Sequence, residues 1–168
     1  MNIYLDMDDV VADWHGAAQD FLQMSWDKKE ERIPEEHWVR IKINSRFYRD
    51  LPLKEGATEL VQYCRHAVTS NRADGLFFLT AIPRDYSMPY ASSDKVWWAH
   101  EYFPNIPVFF GPMSRDKWRH CKPGDILIDD RTSNCEEWIR RGGHAHIYRT
   151  WEACKPWLEQ ILNPIPEL

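Results

Sequence analysis

Five short apolar runs constrain the fold of this chain more than any other feature. NIYLD (2–6), GLFFLT (75–80), IPVFFG (106–111), DILIDD (125–130) and HAHIYR (144–149) each stop abruptly in acidic, glycine or turn residues. Continuous apolar runs of this length suit strands buried on both faces. Between them, ATELVQYCRHAV (57–68), SDKVWWAHEYF (93–103), TSNCEEWIRRG (132–142) and TWEACKPWLEQIL (150–162) space apolar residues three to four apart, as amphipathic helices do. Ser92, Ser93, Thr132 and Thr150 are candidate N-caps, and Gly142 is a candidate stop. Strands alternating with crossover helices predict an α/β fold, a doubly wound parallel sheet with helices on both faces and right-handed crossovers.

The interval 14–52 breaks this rhythm. It has helix-like pieces, no good strand, and a concentration of aromatic residues: Trp14, Phe21, Trp26, Trp38, Phe47 and Tyr48. We read it as a small helical cap inserted after the first strand, so that the α/β core comprises 1–13 and 53–168. The length of 168 residues supports one such core. KKEER (28–32) reads as a solvated helix end or loop, and the tail NPIPEL (163–168) as frayed. Trp97, Trp98, Trp118, Trp138 and Trp157 are expected to pack in the core.

A net charge of −5 gives no electrostatic reason for binding a nucleic acid polymer or an acidic membrane. The four cysteines lack a CxxC pair and are expected to be reduced. Asp6 and Asp8 interrupt any apolar leader, and no run approaches membrane-spanning length, so a cytoplasmic protein is expected. A homodimer is a candidate assembly.

Two of the strands end in acid clusters, YLDMDD and LIDD. In an open parallel sheet, ligands bind beyond the carboxyl ends of the strands, where the strand order reverses. If the first and fourth strands are neighbours there, Asp6, Asp8, Asp129 and Asp130 converge, and four carboxylates in one small volume need a cation. One acid after a strand commonly caps a helix; capping does not explain the repetition. An all-oxygen ligand set without clustered His or Cys favours a hard ion, Mg²⁺, which shares its coordination sphere with phosphate. Thr80 ends the second strand, where its hydroxyl and the following amides, from Ala81 onward, could hold phosphate oxygens. Arg115 and Lys117 follow the third strand, where a lysine could neutralise phosphoryl charge.

In this order, DxDxV at Asp6–Val10, strand-ending Thr80, Lys117 and Asp129-Asp130, the chain resembles the haloacid dehalogenase-like phosphohydrolases. Within them, DMDDVVADW (6–14), HWVR (37–40), FYRDLPLKEGA (47–57), FLTAIP (78–83), DKVWWAHEYF (94–103), SRDKW (114–118) and DILIDDR (125–131) resemble the 5'(3')-deoxyribonucleotidases. The resemblance implies a Rossmann-like core with a helical cap. It also implies Mg²⁺-dependent hydrolysis of (deoxy)nucleoside monophosphates through an aspartyl-phosphate. Asp6 would be the nucleophile and Asp8 the acid/base, its carboxyl kept protonated by acidic neighbours. Asp6, the Asp8 backbone carbonyl, Asp129 and Asp130 would hold the metal, with Asp130 preferred for the direct contact.

Thr80 and Lys117 would bind the transferring oxygens, with Arg115 assisting or facing the acids. Trp14, Trp38, Phe47 and Tyr48 would pack against sugar and base. Asp9 stands where relatives often carry Gly, and Asp13 is expected to cap or orient the start of the cap. Two other readings compete: a phosphatase of the same chemistry acting on a sugar phosphate or another small phosphomonoester, and a catalytically silent nucleotide- or metal-binding module.

Overall fold

The computed structural model describes residues 1–25, 33–83, 88–111 and 113–163. KKEER, Trp26 and all of NPIPEL after Asn163 lie outside the described residues. Five strands, β1 (Asn2–Leu5), β2 (Gly75–Thr80), β3 (Val108–Phe110), β4 (Ile126–Asp129) and β5 (His144–Ile147), form one sheet in the order β3-β2-β1-β4-β5. Every pairing is parallel, with Ile3 opposite Leu76 on one side and Ile126 on the other. Chain order reverses at β1, so β1, β2 and β4 meet at the switch point, and the acid-bearing strands are neighbours.

Six α-helices are described: α1 (Trp14–Leu22), α2 (Glu35–Ile43), α3 (Ala57–Thr69), α4 (Ala91–Tyr102), α5 (Thr132–Arg140) and α6 (Trp151–Leu162). A 3-10 helix (Ser114–His120) follows β3. Side chains alternate across a strand. Ile3, Leu5, Phe78, Ile126 and Ile128 therefore pack with α3, α4 and α6 on one face. Tyr4, Leu79, Leu127 and Trp138 of α5 form a smaller cluster on the other. There a row of rings crosses the sheet, from Trp138 through Tyr4, Phe77 and Phe109 to His120, with centroids 5.1–5.6 Å apart.

Helix starts depart from the expected caps in two places. Thr150 caps α6 through its hydroxyl to the Ala153 N–H, and Gly142 ends the α5 region with φ +85°. Ser92 and Ser93 lie inside α4, which begins at Ala91, and Thr132 is the first helical residue of α5 rather than its cap. The face of α4 is also the reverse of the apolar reading. Asp94, Lys95, Trp98 and Ala99 are buried while Val96 and Trp97 are exposed, because helical spacing groups 91, 95, 98 and 99 on the side that meets the sheet.

The segment between β1 and α3 contains α1 and α2, packed on each other. Where the chain leaves and returns, the Asp13 N–H donates to the Pro52 carbonyl and the Lys54 N–H to that of Val11, beside an Asp13–Lys54 ion pair of 3.1 Å. Its end is fastened to α4: Arg46 pairs with Asp94 at 3.2 Å, Arg49 covers the Trp97 ring at 3.9 Å, and Trp98 Nε1 donates to the Leu51 carbonyl. Trp97, expected in the core, instead serves Arg49 as a stacking surface. Trp98 and Trp138 are fully buried, and Trp118 and Trp157 half-buried.

Candidate active site

Asp6 follows β1 directly, and its N–H donates to the Ile128 carbonyl, so β4 pairing fixes the first acid. The chain then turns tightly: the N–H groups of Val10, Val11 and Ala12 all point to the Met7 carbonyl. Asp9 occupies the left-handed region at φ 60°, which Asp tolerates better than most residues. Its Oδ1 accepts the His15 N–H at 3.0 Å. Asp13 accepts the Gly16 N–H. Both acids therefore satisfy donors at the start of α1.

Lys117 lies between the two strand-end acids. Its Nζ is 2.7 Å from Asp6 Oδ1 and 2.6 Å from Asp129 Oδ2, with all three side chains buried. Gly111 makes this approach possible, since a Cβ there would stand 2.8 Å from the Lys117 backbone N. Burial alone would lower the Lys117 pKa, but Asp129 and Asp6 more than offset it and hold the ammonium above its ordinary range. At Asp6 the balance runs the other way. Burial, opposed by Lys117 and reinforced by Asp129, Asp130 and Asp8, pushes its carboxyl up to about 8.

A second buried lysine was not recognised in the sequence. Lys95 of α4 is 1% exposed, and its Nζ donates to Asp8 Oδ2 at 2.6 Å and Thr80 Oγ1 at 2.8 Å, 4.6 Å from the centre of the Tyr48 ring. Asp8 was expected to face mainly acids; its nearest charged partner is this cation. Its Oδ1 is buried without a hydrogen-bond partner among the described residues. A lone lysine in a helix is usually solvated, so only its place on the 91/95/98/99 face could have singled it out.

Oxygens of Asp6, Asp129 and Asp130 lie within 4.8 Å of one another. Four carboxylates and two ammonium groups converge here, leaving two negative charges if all are ionised, which a divalent cation would neutralise. The oxygen-only set suits a hard ion. Asp129 already accepts from Lys117, the Arg131 N–H at 2.9 Å and Asn134 Nδ2 at 3.0 Å. Asn134, buried in α5, is a second residue that the sequence did not reveal.

The remaining expected residues divide. Thr80 is fully buried at the end of β2, with Ala81 half-buried after it. Trp14 and Trp38 are half-buried with ring centroids 6.1 Å apart, whereas Phe47 and Tyr48 are 4% and 5% exposed. Those last two have little ring surface to offer a ligand and act as the floor beneath Trp14. Arg115 is exposed and lines a groove between the 3-10 helix and α5, together with Arg140 and Arg141.

Comparison with known proteins bears on the fold and the family. The crystal structure of a hydrolase from Streptococcus pneumoniae TIGR4 superposes with a TM-score of 0.53 at 14% identity, covering 94% of this chain and 97% of that one, a likeness of fold. No curated protein matches the chain significantly. The family model for the 5' nucleotidase, deoxy (pyrimidine), cytosolic type C protein matches residues 1–150, a span that holds both acid clusters, Thr80, Lys95 and Lys117. The chain belongs to this nucleotidase family of hydrolases.

Proposed function

We propose that the protein is a Mg²⁺-dependent phosphomonoesterase that releases phosphate from deoxynucleoside monophosphates in the cytoplasm, with Asp6 as nucleophile. The observation that carries this reading is the convergence of Asp6, Asp8, Thr80 and Lys117 with the Asp129-Asp130 pair at the switch point, in a chain of the nucleotidase family. Uncatalysed phosphate monoester hydrolysis is so slow that a site must lower the barrier by ~20 kcal/mol or more. Several groups must act together.

Asp6, with one oxygen held by the Met7 N–H at 2.8 Å and Lys117, attacks phosphorus in line as the ester P–O bond breaks. The leaving nucleoside oxygen takes a proton from Asp8. Asp8 then accepts a proton from the water that attacks the aspartyl-phosphate, releasing phosphate and restoring Asp6. Lys117, the Thr80 hydroxyl and the amide of Ala81 bind the transferring oxygens. Lys95 is a positioning residue that holds Asp8 and Thr80 in one geometry.

Asp6, the Asp8 carbonyl and Asp130 would hold Mg²⁺, which supplies charge neutralisation between nucleophile and substrate. Asp129, with its oxygens engaged by Lys117, Asn134 and Arg131, orients the lysine. Trp14 and Trp38 present the ring surface on which a base could stack. A phosphatase panel of deoxynucleotides, ribonucleotides and sugar phosphates, with Mg²⁺ and with EDTA, tests the reading. Metal-dependent release fastest from dUMP or dTMP is expected; preference for a sugar phosphate, or full activity in EDTA, would overturn it.

A further inference from the structure

Asn134 sits about one turn into α5 and is 6% exposed. Its Nδ2 lies 3.0 Å from both carboxylate oxygens of Asp129 and 2.9 Å from Ser114 Oγ. The opposite amide orientation would set its oxygen against a carboxylate, so the donor faces Asp129. Ser114 and Lys117 are three residues apart in one 3-10 helix, the spacing that places two side chains on the same face. One amide thus grips both the acid that holds the lysine and the helix that carries it.

We propose that Asn134, anchored by Ser114, is a positioning residue for Lys117: it locks the Asp129 carboxylate so that Oδ2 receives the lysine and Oδ1 the Arg131 N–H. This inference rests on the function proposed above, in which Lys117 binds the transferring oxygens. Asp129 is completely buried, so the orientation of its carboxylate depends on donors that the protein itself supplies. Without the amide the carboxylate is free to rotate, and the ammonium loses its aim. The groove of about 360 Å³ between the 3-10 helix and α5 is lined by Ser114, Lys117 and Asn134, so a small solute can reach the place where the amide stands.

The test compares wild type, Asn134→Ala and Ser114→Ala by turnover of dUMP and p-nitrophenyl phosphate, by melting temperature, and by the ¹⁵N–¹H signal of the Lys117 ammonium. Hydrogen bonds to a charged group predict that Asn134→Ala loses roughly 10- to 100-fold in kcat. KM should change little, the melting temperature should fall by a few degrees while the fold is kept, and the slowly exchanging Lys117 signal should be lost. Acetamide should restore part of kcat in this variant and none in wild type. Ser114→Ala should lose only a few-fold, and it carries the test if Asn134→Ala does not fold.

Wild-type turnover and an intact Lys117 signal in both variants would overturn the proposal, as would a loss of kcat that acetamide leaves unchanged while the signal persists. A wild type inactive on both substrates would instead overturn the functional reading. The Lys117 signal would then still decide the clamp.

Discussion

At the carboxyl edge of the sheet, Asp6, Thr80, Lys117 and Asp129 are each 5% exposed or less, and each polar group meets a partner from another element. In the inserted segment, Trp14 and Trp38 are half-exposed, tilted against each other, and held chiefly by ring contacts. The first region is over-determined and the second adaptable. Transition-state chemistry needs fixed dipoles, whereas recognition of a planar base needs only a face to stack on. The two regions meet at Lys95, whose ammonium bonds Asp8 and Thr80 while facing the Tyr48 ring.

This contrast can be broken, most severely at the edge. Lys95→Met, close in length but uncharged, leaves Asp8 and Thr80 without their shared donor. We expect a fall in kcat on the order of 10²- to 10³-fold with little change in KM, measured by steady-state phosphate release. A fall confined to KM would mean that Lys95 binds substrate rather than positioning Asp8. On the other side of the contrast, Trp14→Ala should cost ~10-fold in kcat/KM for dUMP and little for p-nitrophenyl phosphate, since stacking is worth about 1–3 kcal/mol per base. Equal losses on both substrates would assign Trp14 to packing.

A smaller effect follows from ionisation of Asp6. Its carboxyl rises from an ordinary 3.8 to about 8 through burial and the neighbouring acids. The neutral form is therefore favoured in the fold. Stability from this group is complete below pH ~4 and is lost as pH rises through about 8. A cation that binds the carboxylate reverses the loss, so the gain in melting temperature with Mg²⁺ should be larger at about pH 8.5 than at about pH 6. Equal gains would show that Asp6 is not the titrating ligand.

The smallest effect is expected at Asp9. Asp9→Gly should shift stability by only a few tenths of a kcal/mol, because glycine relieves the positive φ while losing the bond to His15. Asp9→Ala should lose about 1–2 kcal/mol in denaturant unfolding, since it keeps the strain without the bond. Identical stabilities for the two would remove the backbone explanation.

The parallel sheet and its acid-bearing edge were legible because apolar runs ending in carboxylates have few other uses. Lys95 was not, because an isolated lysine carries no mark of burial, and its neighbours Val96 and Trp97 look more apolar than the face that packs. Asn134 was hidden for a similar reason: an asparagine in the first turn of a helix is ordinary, and only its 3.0 Å approach to Asp129 distinguishes it. Phe47 and Tyr48 were legible as aromatic residues of the segment between β1 and α3, but sequence cannot tell a stacking surface from the floor beneath it. Arg115 is two residues from Lys117, yet it is exposed while Lys117 is buried between Asp6 and Asp129, because neighbours in a 3-10 helix point in different directions.

The central claim is that Asp6 carries the phosphoryl group. It is tested most directly by acid-quenching a single turnover of dUMP labelled at phosphorus and mapping the label to a peptide. Transient label on Asp6, lost in Asp6→Asn together with at least ~10⁴-fold in turnover, is the predicted result. Full turnover by Asp6→Asn, or label found on another residue, would contradict the account.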